Sequence, residues 1–271
     1  MKLRIRQLLV PALLIAVPTL ASAQSDNRAA AREIVRKWQA AIVNVRVTLK
    51  LRMSMAGREM NASDDSADTV GTVIDPSGLT VVSLGALNPG ATMNKIMGAA
   101  SQGQDRPTLS SEPTEVKIRV ADGRELSARI VLRDEDLDLA FLMPIAKLDK
   151  PLVAINLEDA SRPALLDEVV VLSRLGRVGA WTPSALLQNV TAIIDKPRTF
   201  FVTEASAGGT PMGTPAFLPN GKVVGVLTLR SVDPGRAGML SMMGSTEGLG
   251  LLAVILPAAD VLEVAKQATE K

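Results

Sequence analysis

The sequence predicts an all-β protein made of two antiparallel β-barrels with a helix at each end, and three observations lead there. Apolar and polar residues alternate at period two, most plainly where Val43, Val45, Val47, Leu49 and Leu51 interleave with Asn44, Arg46, Thr48, Lys50 and Arg52. Tight-turn residues, Asp75-Pro76-Ser77-Gly78 and Asp122-Gly123, sit between β-branched runs and close hairpins. The strand-like runs also fall into two sets, separated by "LDKPLVAINLEDASRP", which reads as a crossover linker.

The elements follow in order. Residues 1–23 have the form of a signal peptide: Lys2, Arg4 and Arg6 precede an apolar run from Leu8 to Leu20, and Ala21-Ser22-Ala23 offers small residues for cleavage before Gln24. Residues 24–271 are then the mature domain, with a helix and first barrel over about 24–150 and a second barrel and helix over about 151–271. Ser25 and Asp26 can cap a helix in which Ile34, Val35, Trp38, Ala41 and Ile42 recur at helical spacing. Hairpins are expected in "TVGTVIDPSGLTVVSL" and "EVKIRVADGRELSARIVLRD", followed by a buried strand in "LDLAFLMPI". Ser54 to Asp68 and Asn88 to Pro113 lack periodicity and are rich in Gly, Ser, Asn and Asp, which predicts long loops. Five strands are expected in the second half, within "DEVVVLSRL", "SALLQNVTAII", "TFFVTEAS", "GKVVGVLTLR" and "GLLAVILP". Ala259, Val261, Leu262, Val264 and Ala265 suggest a final helix.

Composition removes whole classes of chemistry. The 271 residues include no His, no Cys and no Tyr, so disulfides, thiolate nucleophiles, His or Cys metal sites and Ser/His or Cys/His pairs are all excluded. No cofactor and no metal site are expected. Loss of Lys2, Arg4 and Arg6 with the signal takes the formal charge from +2 to −1, so the pI near 9.0 belongs largely to the precursor and points to no nucleic-acid partner. The expected location is periplasmic or extracellular, with no membrane attachment once the signal is removed.

Three segments then resemble the trypsin-like serine proteases of the HtrA/DegP type, in the right order. "VIDPSGLTVVSLGAL" is similar to the family hairpin ending in T-N-x-H-V. "VKIRVADGRELSARIVLRDEDLDLAFLMP" is similar to the strand pair leading into its D-L-A motif, and "TPMGTPAFLPNGKVVGV" to the G-N-S-G-G-P loop with its following strand. The resemblance implies a trypsin-type double barrel. It sets the family's histidine on Gly85, its aspartate on Asp138 and its nucleophilic serine on Met212. A serine hydroxyl needs an imidazole to take its proton, and the aspartate only orients that imidazole, so these positions imply a pseudoprotease. The family's oxyanion hole uses backbone N–H groups, here those of Thr210 and Met212, and an anion pocket can outlast the loss of the side chains. Asp138 is then expected to act as a hydrogen-bond or ion-pair anchor between the lobes, and Met212 as filler. The family commonly adds PDZ domains; here binding is expected to use the barrels and their loops.

Three functional readings follow. The first is a polypeptide-binding or chaperone-like module that uses the vacated cleft and an adaptable apolar surface of methionines, Met53, Met55, Met60, Met93, Met97, Met239, Met242 and Met243. The second is a hydrolase with another nucleophile, drawn from Ser83, Ser206, Thr210 and Thr214 and activated by a lysine. The third is Cu(I) binding by the same thioethers.

Overall fold

A computed structural model describes residues 21–55, 58–100, 107–204, 211–231 and 251–269. Its twelve described strands close into two six-stranded antiparallel barrels. Barrel 1 contains β1 (Ile42–Met55), β2 (Arg58–Val73), β3 (Thr80–Ser83), β4 (Thr108–Arg119), β5 (Glu125–Asp134) and β6 (Leu139–Pro144), in the order β1-β2-β3-β6-β5-β4. Barrel 2 contains β7 (Glu168–Arg174), β8 (Pro183–Ile194), β9 (Phe200–Thr203), β10 (Pro215–Phe217), β11 (Val223–Ser231) and β12 (Leu251–Pro257), in the order β10-β11-β12-β9-β8-β7. Helix α1 (Ala21–Trp38) precedes the barrels, α2 (Leu84–Leu87) and α3 (Pro89–Ala100) follow β3, and α4 (Ala258–Thr269) ends the described chain. Among the described residues no helix is long and apolar enough to cross a membrane.

Several strands are apolar at every position because both of their faces are buried. On β6, Ala140 and Leu142 fill barrel 1 while Leu139 and Phe141 face the layer between the barrels; on β7, Val169 and Val171 fill barrel 2 while Val170 and Leu172 face that same layer. Period two therefore sorts alternate side chains into two cores instead of core and solvent. The terminal helices add their apolar stripes to the central layer: Ala31 and Ile34 from α1, and Val261, Val264, Ala265 and Ala268 from α4. Trp38 stacks on Phe217 with ring centroids 6.3 Å apart.

Two expected loops are regular structure. Within the stretch Ser54 to Asp68, Ser54 and Met55 end β1 and Arg58 to Asp68 belong to β2, the two strands pairing from Met55↔Arg58 to Ile42↔Thr72 with an irregularity at Met53/Ser54. Its polar residues lie on exposed strand faces beyond the barrel, so neither face shows the alternation that burial imposes. Part of Asn88 to Pro113 is α3. Asn88 Oδ1 accepts the N–H of Ala91 at 3.2 Å, and Pro89 opens the helix. The helix lies so close to β4 that a Cβ on Gly90 would come within 2.9 Å of the Leu109 carbonyl oxygen. Asn94 completes the join, accepting from Leu109 N–H at 2.8 Å and donating to its carbonyl at 2.6 Å, which occupies a backbone pair of the β4 edge. A sixth strand, β10, also lies in the second half, where five were expected; three residues long, it is too short to show a period.

Candidate functional site

The carboxylate of Asp138 lies where the two barrels meet. It sits in the turn between β5 and β6 at φ 55°, a left-handed conformation that Asp tolerates better than most residues. Oδ2 accepts the Ser83 hydroxyl at 2.7 Å and the backbone N–H of Leu229 at 3.1 Å, while Oδ1 accepts the N–H of Gly85 at 2.7 Å. The Asp138 carbonyl takes a further bond from Leu84 N–H at 3.0 Å. Leu229 belongs to β11 of barrel 2 and the other donors to barrel 1, so the carboxylate spans the inter-barrel seam. A hydrogen-bond or ion-pair anchor between the lobes was the expectation for Asp138, and bonds to Ser83, Gly85 and Leu229 are of that kind.

Ser83 ends β3 and caps α2, its hydroxyl oxygen also accepting from Ala86 N–H at 3.4 Å. It is 2% exposed, and its proton is committed to Asp138. Gly85 has little room for a side chain. A Cβ there would stand 2.9 Å from Thr92 Oγ1 on α3 and 3.2 Å from Asp138 Oδ1. Taking Ser83 as the hydroxyl residue that opens the T-N-x-H-V frame moves the histidine position to Ala86, one residue on and half-buried. Gly or Ala, neither residue can move a proton.

The second part of the site is the turn 211–214, pinned to β11. Gly213 N–H donates to the Leu227 carbonyl at 2.7 Å, Leu227 N–H to the Thr214 carbonyl at 2.8 Å, and the Thr214 hydroxyl to the Pro211 carbonyl at 2.8 Å. The turn presses on barrel 1: the Thr72 hydroxyl donates to the Gly213 carbonyl at 2.7 Å, and a Cβ on Gly213 would lie 2.8 Å from the Val70 carbonyl oxygen. With φ at +84° as well, position 213 requires glycine on two grounds. Met212, just before it, is half-buried and packs on the apolar interior of barrel 2. Thr214 is fully buried. Thr210 and Ser206 lie outside the described residues, as do Met239, Met242 and Met243.

Between the barrels opens a cavity of about 600 Å³ with Asp138 in its lining. One wall comes from barrel 1, with Glu135 and Asp136 in the β5–β6 turn and Thr92 on α3; the other comes from barrel 2, with Arg198, Leu229 and Arg230. On the far side of the seam, Arg174 clamps the barrels by donating to the carbonyls of Ile42 at 2.9 Å, Gln39 at 2.7 Å and Trp181 at 2.8 Å. Burial pushes its guanidinium below its ordinary pKa.

The methionines expected in loops are placed differently. Met53 and Met55 lie in β1, Met60 in β2, and Met93 and Met97 in α3; Met53, Met55, Met60 and Met93 are exposed. The sequence reading missed the donors Gly85 N–H and Leu229 N–H, which no side-chain pattern encodes. It also missed Arg198 and Arg230, whose meeting across the fold no local spacing reveals.

The fold is thus that of a two-barrel peptidase domain. The model of the trypsin-like peptidase domain family matches residues 71–226, more than half of the chain, and the protein belongs to that family. No curated protein matches it.

Proposed function

We propose that this protein is an exported, HtrA-like pseudoprotease that holds extended polypeptide in the inter-barrel cleft without cleaving it, as a chaperone-like or regulatory module. The observation that carries the reading is the state of Asp138: a carboxylate in the lining of the inter-barrel cavity, bonded to a hydroxyl and two backbone N–H groups, in a chain with no imidazole to orient. Ser83 and Thr214 do not serve as substitute nucleophiles, because each is buried with its proton committed.

Strand β11 favours a polypeptide ligand. Leu227 and Leu229 direct their N–H groups away from β12, to Thr214 and to Asp138, and the two-residue period turns the backbone of Ser231 the same way. The outward N–H groups of Leu227 and Leu229 are already spent, so an extended segment would add at Ser231, the end of that edge, by backbone hydrogen bonds.

The test incubates residues 24–271 with a fluorescein-labelled, permanently unfolded substrate, following anisotropy and peptide products together. Saturable binding with an unchanged product profile is expected. Peptide release that disappears when one Ser or Thr of the protein is replaced would overturn the reading.

A further inference from the structure

The cleft has walls of opposite charge, and among the described residues no carboxylate pairs with its cationic wall. Glu135 and Asp136 reach it from the β5–β6 turn of barrel 1; Arg198, on the turn joining β8 to β9, and Arg230, on β11, reach it from barrel 2. The Arg230 guanidinium lies 4.5 Å from the ring centroid of Phe200. Arg198 is exposed on its turn, near whose base Arg162 pairs with Asp195 at 2.7 Å. Among the described residues neither arginine forms an ion pair; Arg52, Arg58, Arg129 and Arg133 form none either, but they do not line the cleft.

A guanidinium offers a planar fork of donors that fits a carboxylate, and two facing one cavity across from an acidic wall give that cavity a direction. Resting on the polypeptide-binding reading above, we propose that Arg198 and Arg230 form a carboxylate-receiving subsite, so that the cleft selects extended segments bearing an acidic group on the side facing barrel 2. Glu135 and Asp136 repel a run of acidic residues, so the preferred segment has one carboxylate rather than many. The group can be an Asp or Glu side chain or the terminal carboxylate of a chain.

The test uses decapeptides of Ala, Val and Ser labelled with an uncharged BODIPY dye: a neutral one amidated at its C-terminus, the same with one central Glu, and the neutral one with a free C-terminal carboxylate. Anisotropy is read at low and high salt. At least one carboxylate peptide should bind about tenfold more tightly than the neutral one at low salt, and less so at high salt; which of the two prevails identifies the source. Arg198→Gln with Arg230→Gln should bring that ratio to about one, whatever the two substitutions do to the affinity for the neutral peptide. Thermal melts of the variant, followed by circular dichroism, guard against a folding defect, and Arg198→Gln alone should give an intermediate ratio. Equal binding of all three peptides, or a preference that survives both substitutions, overturns this inference and leaves the cleft reading standing. Failure of every peptide to bind overturns both.

Discussion

Asp138 and Met212 occupy two ends of one motif set, one in each barrel, and they are built differently. Asp138 is held by donors that are mostly backbone, Gly85 N–H and Leu229 N–H, together with the Ser83 hydroxyl that also caps α2. Met212 presents a thioether that packs on the barrel 2 interior, in a turn whose shape depends on its neighbour Gly213. The carboxylate keeps a structural task that needs no imidazole, because it neutralises donors left over where two barrels join. At position 212 the side chain is held by packing alone. The frame around the aspartate thus has a part in stability that calls on no reactive side chain.

Breaking the carboxylate end should have the largest effect. Asp138→Ala strands three donors at the seam and is expected to lower stability by about 3 kcal/mol, read as a fall in the urea midpoint at unchanged slope; Asp138→Asn, which keeps one acceptor oxygen, should cost less. If Asp138→Ala unfolds with the wild-type midpoint, the anchoring role is wrong. Gly213→Ala comes next, at about 2 kcal/mol, because the added methyl meets the Val70 carbonyl and the backbone stays at positive φ. A crystal structure of that variant should show the 211–214 turn moved away from β2.

Gly85→Ala should cost about 1 kcal/mol through its approach to Thr92 Oγ1. Removing that oxygen with Thr92→Ala should recover at least about half of the loss, a coupling that a double-mutant cycle measures directly. The smallest effect is expected at the other end. Met212→Ser restores an alcohol but no base, so it should lower stability by about 1 kcal/mol and leave the protein unlabelled by a fluorophosphonate probe. Labelling of that variant, absent from wild type, would mean that the site still activates a hydroxyl and that the two ends are less different than their structures indicate.

How much of this could be read beforehand depended on burial. Strands with an alternating or fully apolar character, such as Val43 to Leu51 or Val169 to Leu172, announced themselves because the core they fill imposes period two. The β1–β2 extension did not, because Ser63, Asp64, Asp65 and Ser66 pair through their backbones with both faces in solvent. Helix α3 carried a signal, Asn88 followed by Pro89, but its Gly and Met residues hid the stripe. Asp138 was legible as an anchor through its motif, and its partners were not, since two of them are backbone amides.

The sequence by itself determined what this chain lacks: its 271 residues hold no histidine and no cysteine, so they offer neither imidazole nor thiolate for acyl transfer. It also determined the two-barrel architecture, because alternation and turn chemistry are local properties of the chain. Only the tertiary structure decided what surrounds Asp138 and which charges line the cleft. Those contacts join residues as far apart as Asp138 and Leu229, brought together by closure of the barrels and by backbone groups that every sequence carries alike.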